Sequence, residues 1–138
     1  VSFGEEFERI TRKIQATSLD ALYEQLKLDW SSALVWIDNQ GHEGQIFEGG
    51  KKFFSSFHGP KFIVSEFWPY GIERSGSKNS YFNFLSSCFA IYDINSTSWQ
   101  SSDLISLKTL KEIYDVMLNS TDKEYHPHTD LLLIPKPC

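Results

Sequence analysis

Two groupings of histidine and acid are the places where residue types and spacing could do chemistry. In His126-Pro127-His128-Thr129-Asp130 two imidazoles stand one residue apart, with a carboxylate two positions further on. On an extended backbone such groups can converge on a metal. No recognised spacing supplies a third or fourth ligand, although Cys138, Glu124 and His58 are of suitable type. A solvated loop held extended by Pro127 is therefore the plainer expectation, and no metal is required. The second grouping is His42-Glu43 with His58. An acid and two imidazoles are the parts of an acid–base hydrolase, provided the fold joins them. The bland alternatives are that His42 is an exposed residue after the turn at Gly41 and that His58 caps a short helix before Gly59-Pro60.

Other chemistries find little support. There is no Gly-x-Ser-x-Gly turn, and Cys88 sits in an apolar run that would keep its thiol protonated and shielded. Gly49-Gly50-Lys51-Lys52 has phosphate-binding residue types but not the spacing of a phosphate loop, and no cofactor is implied. A net charge of -5 argues against bulk electrostatic binding of nucleic acid, so stacking of bases on Lys61-Phe62, Phe67-Trp68 or Tyr70 is disfavoured. Trp30, Trp36, Trp68 and Trp99 exceed what a core of this size needs, and rings at a rim or sheet edge are favoured anchors for partners. The expected function is accordingly a non-catalytic module that binds a partner chain or a second copy of itself. A small hydrolase and a protein holding an apolar ligand in a pocket are the alternatives.

The elements that must position these residues follow from the hydrophobic pattern. The 138 residues are 41% hydrophobic and 15% aromatic, enough for one core built mainly from rings. No apolar run approaches the ~20 residues needed to cross a bilayer. The absence of an initiator Met and of a leader suggests a processed chain or one region of a longer protein, and the compartment stays open. Asn95-Ser96-Thr97 and Asn119-Ser120-Thr121 are glycosylation sequons that matter only in a secretory setting. Cys88 and Cys138 allow one disulfide, with two free thiols the simpler expectation.

Phe3, Phe7, Ile10 and Ile14 recur at helical spacing, and Leu19, Leu22, Tyr23 and Leu26 form a second stripe behind a Thr17 or Ser18 cap. Residues 31–47 predict a β-hairpin turning at Asp38-Asn39-Gln40-Gly41. Residues 51–58 predict a short helix, 61–68 a strand, and 73–80 an exposed loop. Residues 80–94 (SYFNFLSSCFAIYDI) predict a long central strand beside 61–68, with Ser86-Ser87 as a bulge or a break. Leu104, Leu107, Leu110, Ile113, Tyr114, Met117 and Leu118 predict the longest helix, capped at Ser101-Ser102-Asp103, and Leu131 to Ile134 a last edge strand.

The expected fold is α+β: an antiparallel sheet of about four or five strands packed against two N-terminal helices and one long C-terminal helix. Residues 1–138 form a single domain, with 1–28 helical and 119–138 a less regular tail. In outline the order of elements over 19–118 is similar to that of roadblock, longin and profilin-type domains, which implies a five-stranded sheet lying between helices.

Overall fold

The computed structural model describes residues 12–87, 89–95, 104–120 and 126–136. Local chemistry sets the element boundaries. Ser18 accepts the Ala21 N–H at 3.2 Å and opens α1 (Leu19–Leu26), which ends where Lys27 turns left-handed at φ 49°. Asp20 reaches out of α1 to accept the N–H groups of Lys52 and Phe53, at 3.2 and 2.9 Å, which ties it to the start of the helix that begins at Lys51. β1 (Leu34–Ile37) leads through a left-handed pair, Gln40 at φ 54° and Gly41 at φ 94°, into α2 (Glu43–Gly49) and α3 (Lys51–Ser55). β2 (Phe62–Phe67) is followed at once by α4 (Pro69–Ser75), whose first turn holds the proline that a helix start tolerates. Then come α5 (Lys78–Ser86), β3 (Phe89–Asp93), α6 (Leu107–Leu118) and β4 (Thr129–Pro135). Ser106 caps α6 by accepting the Thr109 N–H at 3.0 Å.

The four strands form one mixed sheet in the order β1-β2-β4-β3. β1 and β2 are parallel, with Leu34 opposite Phe62 and Ile37 opposite Ser65. β4 is antiparallel to both neighbours, with Glu66 opposite Asp130 and Ile91 opposite Leu133. Ile37, Ile63, Phe67, Leu131, Leu133 and Ile91 point to one face and join a core with Phe47, Phe54, Tyr81, Phe82, Leu110 and Tyr114 from the helices. Rings interlock there: Phe47 stacks on Phe84 at 4.0 Å and 6°, and Phe67 meets Tyr114 edge-on at 5.8 Å. Each such ring contributes about 1.5–3 kcal/mol through burial. Period-two alternation puts Leu34, Trp36 and Phe62 on the other face, where all three remain exposed.

Several sequence expectations are corrected. The architecture is α+β, but the sheet is mixed rather than antiparallel, and the β1–β2 pair departs from the antiparallel order expected. Residues 31–47 are a strand and a helix instead of a hairpin. Asp38-Asn39-Gln40-Gly41 turns the chain into α2, and the parallel partner β2 is reached only after two helices, as parallel pairing requires a connection of about a dozen residues or more. Residues 73–80 are the end of α4 and the start of α5, not a loop. The long strand over 80–94 divides at Ser86-Ser87 into α5 and β3. Its first half buries Tyr81, Phe82 and Leu85, an i, i+1, i+4 set that suits a helix as well as alternation suits a strand. β3 is an edge strand, and the central positions go to β2 and β4; the expected edge strand at the C-terminal end is thus interior. Residues 12–18 have no regular structure, and the rest of the first expected helix, Cys88, Cys138, Trp99 and the Ser101-Ser102-Asp103 cap lie outside the described residues.

Candidate functional site

Because β1 and β2 run parallel, their carboxyl ends lie side by side, and crevices outside such ends are the usual ligand sites of open α/β sheets. Here this end is acidic. Asp38 follows β1, Glu66 is the penultimate residue of β2, and Asp130 of β4 is the direct cross-strand partner of Glu66. Alternation from Trp36 to Asp38 and from Val64 to Glu66 places both carboxylates on the side of the sheet away from Ile37, Ile63 and Phe67. Glu43, first residue of α2, folds back to accept the Asn39 and Gly41 N–H groups on Oε1, at 2.7 and 3.3 Å. Asp38, Glu43 and Glu66 each offer a carboxylate oxygen, and these oxygens lie within 4.8 Å of one another.

Burial makes this arrangement electrostatically costly. Glu43 is 0% and Glu66 7% exposed, while Asp38 opens to solvent. The Oε2 atoms of Glu43 and Glu66 are buried without a hydrogen-bond partner. Desolvation, followed by the negative charges of Asp38 and Glu43, pushes the Glu66 carboxyl up to about 7. Desolvation and then Asp38 also raise Asp130, against the opposing pull of His128.

The supporting shell is made of hydroxyls and close backbone contacts. The Gly41 carbonyl accepts from Ser75 and Ser77 hydroxyls at 2.5 and 2.7 Å. A Cβ on Gly41 would lie 2.2 Å from the Gly71 backbone, so the turn after β1 abuts α4 directly. Tyr81 is fully buried and donates its hydroxyl to the Glu66 carbonyl at 3.1 Å, which pins the end of β2. Beside this end, the Tyr70 and His126 rings stack at 3.8 Å and 4°, next to Trp68, with the Arg74 guanidinium 5.4 Å from the indole.

The sequence candidates are distributed unevenly over this geometry. Glu43 falls inside the cluster. His42 is exposed at the start of α2 and makes no side-chain cap bond. His58 precedes β2, at the end of the parallel pair opposite to His42, where it faces Asp29 at 3.6 Å. The Asp29 carboxyl is held below its ordinary range, first by the Ser31 N–H, then by the Ser31 side chain, and to a smaller extent by His58. The two histidines are therefore not brought to one site. His126, His128 and Asp130 all lie at the acidic end, but separately: His126 on Tyr70, His128 exposed, Asp130 against Glu66. Trp30 is half-buried and edge-on to Phe53 at 5.6 Å, Trp36 is exposed on β1, and Trp68 is half-buried at the start of α4.

Asp38 and Glu66 were not among the sequence candidates. Asp38 looked like ordinary turn chemistry. Glu66 did carry a signal, because a lone acid inside the apolar run KFIVSEFW is a buried charge in need of a reason. An open groove of about 340 Å³ lined by Phe47, Phe54, Phe84 and Phe89 lies between α2, α3 and α5, with Lys51 and Asn83 also on its wall.

No curated protein and no solved structure matches the sequence. A family model described as the methyltransferase FkbM domain matches residues 2–119, which takes in every described element from α1 to α6 and leaves β4 beyond the match. This match overturns the expectation of a non-catalytic interaction module and points to catalysis by methyl transfer instead of hydrolysis. The chain belongs to the methyltransferase FkbM domain family.

Proposed function

We propose that the chain binds a sulfonium methyl donor of the S-adenosylmethionine type outside the carboxyl ends of β1 and β2, for methyl transfer to a heteroatom of an acceptor. Such a donor supplies an electrophilic methyl carbon, and as the acceptor lone pair bonds to it the carbon–sulfur bond breaks with its electrons kept on sulfur. The observation that carries this reading is the Glu66 carboxylate beside Asp38 at the end of a parallel strand pair, with its Oε2 left without a partner. A carboxylate there is suited to accept hydrogen bonds from the two hydroxyls of a ribose.

The glycines are not a cradle for the donor. Gly41 and Gly44 are filled from within by Gly71 and by Ser77 with Tyr81, so close backbone approach serves packing. Contacts to the donor therefore fall to the carboxylate side, where Asp38 is open to solvent. Asp130, with its carboxyl raised, is placed at the same end to take the proton that the acceptor heteroatom must lose.

Isothermal titration with S-adenosylmethionine and with its demethylated product tests the reading. Saturable binding by the intact chain is expected, weakened at least about tenfold by Glu66→Ala through loss of charge-assisted bonds to the diol. Glu48→Ala, on the exposed side of α2, serves as the control. No binding of either nucleoside by folded protein, or equal loss in both variants, refutes it.

A further inference from the structure

The geometry points to a divalent-cation site formed by Asp38, Glu43 and Glu66. Two oxygens on one divalent ion bound at about 2.0–2.6 Å lie no more than about 5 Å apart. The three carboxylates meet this limit, since one oxygen from each falls within 4.8 Å of the others. Acids often cluster without binding a metal, and what distinguishes this cluster is its orphaned oxygens. Glu43 is 0% exposed, and its Oε2 has no hydrogen-bond partner although Oε1 has two. Glu66, 7% exposed, likewise leaves Oε2 unpartnered.

A buried acceptor without a donor costs free energy, and among the described residues no ion pair offsets it here. The ion pairs among the described residues engage Glu24, Asp29, Glu48, Glu73 and Glu112, not these three acids. A divalent ion supplies these acids with the counter-charge and the oxygen partner they lack. Asp38 is the solvent-facing ligand and gives the ion its route in. Three protein carboxylates leave the remaining coordination to water, which sets the affinity in the range of about 10⁻⁴–10⁻³ M.

The site does not depend on the methyl-donor reading, but it shares Glu66 with it, so ion and donor compete. The test is titration of chelator-stripped protein, at about pH 8 in moderate salt, with CaCl₂, MnCl₂ and MgCl₂ in turn, followed by calorimetry and by the electron paramagnetic resonance signal of free Mn²⁺. One saturable site is expected, with Mg²⁺ the weakest of the three because it dehydrates reluctantly and demands near-ideal octahedral geometry. Asp38→Asn, at an exposed position that leaves the fold intact, should weaken binding about tenfold or more. Glu43→Gln keeps an oxygen for the Asn39 and Gly41 N–H groups but buries a new amide donor, so Asp38→Asn is the deciding variant. Absence of saturable binding up to about 10 mM ion, or the same affinity in Asp38→Asn as in the parent, overturns the proposal. Donor titration is run in chelator, so failure of the ion site and failure of the donor site are read separately.

Discussion

Replacing Glu66 by Gln should make the protein more stable, and only on the alkaline side. The Glu66 carboxyl is raised from an ordinary 4.5 to about 7, first by desolvation and then by Asp38 and Glu43. Between those values the folded chain keeps a proton that the unfolded chain has released. Stability therefore falls as pH rises through this window and levels off above it. The displacement corresponds to at most about 3 kcal/mol, and solvent reaching the cluster through Asp38 reduces this to roughly 1–2 kcal/mol. Gln has nearly the same shape, carries no charge, and its amide can donate to the Asp38 carboxylate. In chelator, urea unfolding should show Glu66→Gln and the parent within about 0.5 kcal/mol at about pH 4.5, with the variant ahead by roughly 1–2 kcal/mol at about pH 8. The comparison cancels the titration of groups that do not face Glu66. An advantage that does not change with pH, or a variant less stable at pH 8, would refute the charge-repulsion account.

Gly41→Ala combines a left-handed backbone at φ 94° with a Cβ placed 2.2 Å from the Gly71 backbone, so a loss of about 3 kcal/mol or more is expected in chemical denaturation. Tyr81→Phe removes the hydroxyl shared with Ser65 and the Glu66 carbonyl, both at 3.1 Å, and should cost about 1–2 kcal/mol while weakening donor binding through a loosened β2 end. His58→Ala, at an exposed pair with Asp29, should change stability by less than about 0.5 kcal/mol and leave nucleoside binding intact, as measured by the same titrations.

By itself the sequence determined what local chemistry determines. Ser18 with Asp20 marks the start of a helix, the spacing of Leu107, Leu110, Tyr114 and Leu118 gives α6, and the apolar run 61–68 gives β2. Each is settled within a few residues by capping or by the side-chain period. The tertiary structure decided how strands pair, because the partner of β1 is set by which apolar faces can be covered together and not by the turn beside it. Asp38-Asn39-Gln40-Gly41 closes a hairpin or opens a helix equally well, and the parallel register of β1 on β2 is what chose. The same holds for residues 80–94, where rings that suit a strand were claimed by a helix because Phe47 and Phe67 lie on either side to receive Phe84 and Tyr81. The site follows the pairing. Glu66 stands far along the chain from Asp38 and Glu43, and the parallel pairing of β1 with β2 is what brings its carboxylate to theirs and buries it.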